Sequence, residues 1–114
     1  MSKTTDRMID KVRVAGGTLL GLEGRRLRAV PESVRDLTTL THLNLSRIYL
    51  TELPDWLGEL SVLISLDLGH NRLTALPESF GNLAGLIEVK LRDNQLADLP
   101  VGLPPERARI GRYA

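Results

Sequence analysis

Ser46 or Ser65, with His42 or His70 and with Asp67, supplies the residue types of a hydrolase triad: nucleophile, base and orienting carboxylate. The same two histidines are the only imidazoles in the chain, so any histidine-based metal site would have to use them. Arg25, Arg26 and Arg28 form the tightest basic cluster, the residue type that contacts phosphates. A weaker patch, Arg107, Arg109 and Arg112 with Tyr113, lies near the end. The segments GHN and GNLAG contain glycine without the spacing of a phosphate-binding loop. What these residues can do depends on the elements that hold them.

A spacing of 23 residues organises the chain. The segments 40–62, 63–85 and 86–108 align, and a degenerate unit covers 17–39. Place 4 of the unit holds Leu20, Leu43, Leu66 and Val89, and place 6 holds Leu22, Leu45, Leu68 and Leu91. Place 11 holds Leu27, Leu50, Leu73 and Leu96. Place 14 holds Val30, Leu53, Leu76 and Leu99, and place 15 is proline four times, Pro31, Pro54, Pro77 and Pro100. Leucine accounts for 23 of 114 residues while Phe, Trp and Tyr number four together, so leucine fills the core. The length suits one domain. A net charge of +1 gives no general pull toward nucleic acid or an anionic membrane. With no cysteine, disulfides and thiolate metal sites are excluded, and a reducing cytoplasm fits. No apolar run has the length of a membrane span or of a secretory signal core.

The physics of one unit follows from this pattern. L-x-L at places 4 to 6 is a short strand with one face inward. An inward Asn at place 9 can bond backbone groups that the turning chain leaves unpaired. Proline at place 15 sets the entry to an outer arm that begins a short helical turn, and Glu32, Asp55 and Glu78 suit its positive end. One unit cannot bury both sides of its leucine layer, so units must stack, gaining about 1.5–3 kcal/mol per enclosed leucine.

The motif LxxLxLxxNxLxxLPxxLxxLxx, carried over 17–103, resembles the leucine-rich repeat family. The resemblance implies an α/β right-handed solenoid. Its short parallel sheet lines the concave side and its short helical turns lie on the convex side. Four repeats are expected at 17–39, 40–62, 63–85 and 86–108, with a capping helix in 1–16 and a tail at 109–114. Met8, Ile9, Val12 and Ala15 have helical spacing, Thr5 or Asp6 is a suitable N-cap, and Gly16–Gly17 can end the helix. Two departures stand out. Place 9 is Asn only at Asn71 and Asn94, with Arg25 and Ile48 before them. Place 21 of the last unit is Glu106 rather than leucine. Either Ile110 and Tyr113 fold back over the last layer or two molecules meet end to end through it. A monomer is expected, with the end-to-end dimer as the alternative.

Repeat geometry puts places 3, 5, 7, 8 and 10 on the concave surface. The partner-binding candidates are therefore His42, Asn44, Ser46, Arg47 and Tyr49 in unit two and Ser65, Asp67, His70 and Arg72 in unit three. Unit four adds Glu88, Lys90, Arg92 and Asp93. On an open, wet sheet the triad residue types have no strained nucleophile turn and no oxyanion loop, so they read as polar groups solvating the sheet. No catalytic residue, metal site or cofactor is assigned. Arg26 and Arg28 flank the inward Leu27 and read as solvated turn residues. Asp67 is expected beside Lys90, and His70 between Arg47 and Asp93. Trp56, on the convex side, either meets a partner or folds across its own arm. The function expected is a non-catalytic protein–protein interaction module, a cytoplasmic scaffold or adaptor that binds a peptide or protein, with neither nucleic acid nor membrane as partner. A secreted bacterial effector, or a remnant of a larger protein, is the alternative.

Overall fold

The computed structural model describes residues 3–96. Leu99, Leu103, Ile110, Tyr113 and the tail lie outside the described residues, as do the boundaries expected beyond 96. Helix α1 spans Lys3–Ala15. Four three-residue strands follow: β1 (Leu19–Gly21), β2 (His42–Asn44), β3 (Ser65–Asp67) and β4 (Glu88–Lys90). They pair in parallel in sequence order, with Leu20, Leu43, Leu66 and Val89 in register. That register repeats the 23-residue spacing of the sequence.

The outer arms are 310 helices at Glu32–Asp36, Asp55–Glu59 and Glu78–Asn82. Each begins at a proline with extended backbone whose carbonyl accepts the first bond: Val34 N to Pro31 O, Leu57 N to Pro54 O and Phe80 N to Pro77 O, at 3.0–3.1 Å. Three-residue bonds then continue through Leu37 and Leu40, Leu60 and Leu63, and Leu83 and Leu86. A 310 helix has three residues per turn, so apolar residues spaced by three share one face. Val34, Leu37 and Leu40 are all buried, as are their counterparts in the next two units. The spacing of three in the outer arm is thus the 310 period, while the spacing of two at places 4 to 6 is the strand period.

The first end of the solenoid is covered by α1. Ile9 is buried, and Met8 and Val12 pack against the core. Ala15 is exposed and takes no part. The helix starts at Lys3, ahead of both expected caps, so Thr5 lies inside it and is buried. Its C-terminus closes as the glycine pair demands. Gly16 adopts φ +64°, Gly17 N donates to Val12 O (2.9 Å) and Gly16 N to Arg13 O (3.3 Å). This is the Schellman arrangement.

The seams between units are held differently. Asn71 Oδ1 accepts from the Ile48 and Leu50 amides (3.1 and 3.0 Å), and its Nδ2 donates to the carbonyls of Leu45, Leu68 and Gly69. Asn94 serves the Leu73 amide and the Leu68 carbonyl in the same way. Each Asn therefore satisfies the turn of the unit before it. The loop after Ser46 has Ile48 in place of its own Asn and is served by Asn71 of the next unit. The missing amide is felt one unit earlier, where the Leu27 amide falls back on Arg25 O (2.9 Å). Ile48 itself is completely buried. Trp56 is half-buried and packs against the core.

Candidate binding surface

The strands present places 3 and 5 on the open face and the turn after them presents places 8 and 10, while place 7 is exposed at Glu23 and Arg92 but buried at Ser46 and Gly69. An open depression of about 320 Å3 runs across all four strands, floored at β1 and β2 and rimmed by His42, Asn44, Ser65, Asp67 and Lys90. Ser65 Oγ donates to Glu88 Oε1 across β3 and β4 (3.0 Å). His70 Nδ1 lies 3.0 Å from Asp93 Oδ2, one rung apart at place 8, as the spacing predicts. Arg47 precedes them in the same row and is exposed.

Place 8 has a backbone reason of its own. Gly24, Arg47, His70 and Asp93 all adopt left-handed φ, between +57° and +78°. The turn there lets the parallel ladder continue beyond the strands: Gly24 N to Ser46 O, Arg47 N to Gly69 O and His70 N to Arg92 O, at 2.7–3.1 Å. A left-handed residue with a side chain is strained by about 1–2 kcal/mol. The ladder bond fixes it, and the side chain is held at a defined angle beside the sheet.

One expected neighbour pair is in register but unbonded, and one candidate residue leaves the surface. Asp67 and Lys90 are register partners, yet Asp67 Oδ1 turns back to accept from the Gly69 amide (3.0 Å), and the two form no ion pair. Asn44 does the same for Ser46, accepting from its amide (3.0 Å) and its hydroxyl (2.8 Å). Place 5 therefore caps its own turn, an Asx turn, because a short side chain reaches the amide two residues on. Ser46 is only 8% exposed and faces Asn44 rather than the open surface. It drops out of the candidate set. His42, Arg47, Tyr49, Arg72, Lys90, Arg92 and Asp93 are exposed, while Asn44, Ser65, Asp67, His70 and Glu88 are half-buried.

The triad residue types are not brought together. Among the described residues neither Ser46 nor Ser65 bonds a histidine. The hydroxyl–imidazole contact present there, Thr41 Oγ1 to His42 Nδ1 (2.9 Å), joins adjacent exposed residues. Among the described residues no three of His, Asp and Glu gather around one point, and no helix is long and apolar enough to cross a membrane.

At the edge of the grid the sequence reading missed a grouping. Arg26, Tyr49 and Arg72 all occupy place 10, each 23 residues from the next. The guanidinium carbons of Arg26 and Arg72 lie 6.0 and 5.4 Å from the Tyr49 ring centroid, within cation–π range. Arg28 and Thr51 join them around a cavity of about 510 Å3. The place number was the available signal; Arg26 was passed over as a turn residue. On the convex side Arg35 forks onto Glu59, Nε to Oε1 and Nη2 to Oε2, both 3.1 Å. Hydrogen bonding to Glu59, and then its charge, push the Arg35 guanidinium further above its already high pKa.

The family model "Leucine rich repeat" matches residues 38–96, more than half of the chain. The chain is a leucine-rich repeat protein. Among solved structures, this repeat protein is similar to the leucine-rich repeat domain of the type III effector XopL. The identity is 30%, the TM-score 0.78, and the match covers 87% of this chain and 34% of that one. It is also similar to a leucine-rich repeat protein of Leptospira interrogans, at 30% identity and a TM-score of 0.72, covering 90% of this chain and 24% of that one. The chain spans about a third and a quarter of their lengths. No curated protein matches it.

Proposed function

We propose that this protein is a non-catalytic protein–protein interaction module that binds a peptide or protein segment on its concave sheet, as a scaffold or adaptor. The observation that supports this most is the in-register parallel sheet. It sets His42, Ser65, Glu88 and Lys90, the ladder-fixed His70 and the Asp93 that His70 meets in one grid beside an open depression. Groups already fixed in place lose less freedom on binding. Exposed pairs of this kind contribute only about 0–1 kcal/mol each to stability, so stability gives little reason for them. The functional step rests on the fold family, which hosts many partners.

The test compares the two faces. Lys90, His70 and Glu88 are replaced together by Ala, leaving Asp67 to cap its turn. Glu32, Glu59 and Glu78 on the convex side are replaced in a second protein. Partners recovered by each are identified from the native lysate. Loss with the concave set alone is expected; loss with the convex set alone puts the binding face on the wrong side. A second reading, an effector acting on a host protein, draws on the likeness to the type III effector domain at 30% identity. A host-cell lysate in place of the native one separates the two.

A further inference from the structure

Tyr49 breaks the pattern of the turns around it. At place 10, Arg72 and Gln95 have ordinary backbones and donate their amides to the preceding unit, Arg72 N to Leu50 O (2.7 Å) and Gln95 N to Leu73 O (2.9 Å). Between units one and two the bond runs the other way: Arg28 N donates to Ile48 O (2.7 Å). Both Tyr49 and Arg28 are left-handed, at φ +64° and +65°. For a bulky aromatic that backbone is strained and needs surroundings that enforce it. Ile48 supplies the cause. Without an Asn amide at place 9, unit two has no side chain to bond the turn of unit one, and the turn is bonded through backbone with the direction reversed. Tyr49 is left 40% exposed with its ring between Arg26 and Arg72.

Three guanidinium groups, of Arg26, Arg28 and Arg72, thus line one cavity with a phenol ring and Thr51. Among the described residues none of the three makes an ion pair. The neighbouring carboxylate, Glu52, lines a different cavity, with Val30 and Pro54. Converging like charges without a counter-ion repel one another, and an anion relieves them. Guanidinium groups bind carboxylates through paired, forked hydrogen bonds, and the ring holds two of the forks against its face.

We infer that this cavity is an anion-recognition site for an acidic peptide, taking one or two Asp or Glu side chains of a bound partner. The inference rests on the reading of this protein as a peptide-binding module and names the chemistry of the peptide. A nucleic acid fits less well. The adjoining grid carries Asp67, Glu88 and Asp93, so a polyanion leaving the cavity across the sheet meets carboxylates, whereas a peptide with a local acidic cluster does not.

The experiment titrates fluorescein-labelled hexaglutamate into the purified full chain, with hexaglutamine and a short oligouridylate as the other probes. The expected result is binding of hexaglutamate that weakens as salt rises, with hexaglutamine not bound. Arg26→Gln with Arg72→Gln weakens it at least about tenfold, equivalent to 1.4 kcal/mol. Thr51→Glu, which places a carboxylate in the cavity and removes no arginine, gives a similar loss, and circular dichroism checks that both variants fold. Absence of hexaglutamate binding, unchanged binding in both variants, or tighter binding of oligouridylate each overturns the proposal. Because the probe and chain are pure, such a failure leaves the face-swap result of the lysate experiment standing. Failure of that experiment to favour the concave side is likewise read separately from the titration.

Discussion

The seam between units one and two and the seam between units two and three differ on every side. In the second seam Asn71 ties the turns together from within, and Gly58 lies so near the next arm that an added Cβ would sit 2.4 Å from Ser79 O. Ser79 Oγ closes it by donating to Asp55 O (2.7 Å). In the first seam Ile48 stands where the Asn would be, and the residue matching Gly58 is Arg35, held at the surface by Glu59. One seam is close-packed and internally hydrogen-bonded; the other is apolar inside and ionic outside. The looser seam is where the backbone reverses its bond and gathers arginines around Tyr49. Departure from the repeat consensus here is the means by which a regular scaffold acquires an individual surface.

The largest expected effect breaks the tighter seam. Asn71→Ala leaves the Ile48 and Leu50 amides and the Leu45 carbonyl buried without their partner, at about 1–3 kcal/mol per group. A loss of about 3–5 kcal/mol in urea unfolding is expected, much of the total stability of a domain this size. Ile48→Asn asks whether the looser seam can be converted. In the present backbone the new amide is buried with the turn of unit one already bonded elsewhere, so a loss of about 2–4 kcal/mol is expected. A neutral result in the same unfolding curves means that the turn switches to the consensus bonding.

Gly58→Ala tests the close approach of the arms. The clash is with backbone, which cannot swing aside, and about 1–3 kcal/mol is expected in thermal unfolding. Arg47→Gly relieves a left-handed side chain and should stabilise by about 0.5–1 kcal/mol, seen as a raised midpoint. Glu59→Ala removes the ionic closure of the first seam. Both partners are about half exposed, and no measurable change in midpoint is expected.

The fold was legible because its signals are covalent spacings. L-x-L at places 4 and 6 and the threefold spacing of Pro31, Val34, Leu37 and Leu40 survive as strand register and 310 period. The binding surface was legible only in part. The spacing put His70 beside Asp93 and Asp67 beside Lys90, but only the first pair is bonded, because a carboxylate two residues from a free amide bonds it before reaching a neighbouring strand. Ser46 was lost to the surface for the same local reason. The place number aligns Arg26, Tyr49 and Arg72, but the reversed backbone bond that leaves the ring between the two guanidinium groups has no record in side-chain periodicity.

The near contact of Gly58 with Ser79 also governs curvature. Strands repeat at about 4.7–4.9 Å, and full α-helices on the outer side would need about 10–12 Å each, forcing a tight arc. Slim 310 arms, two of them thinned to glycine at Gly58 and Gly81, can stack at a pitch closer to that of the strands. Arms of that width are expected to curve the stack little, giving a shallow trough rather than a horseshoe. Such a trough matches an extended segment laid across the strands better than a globular body clasped between two ends.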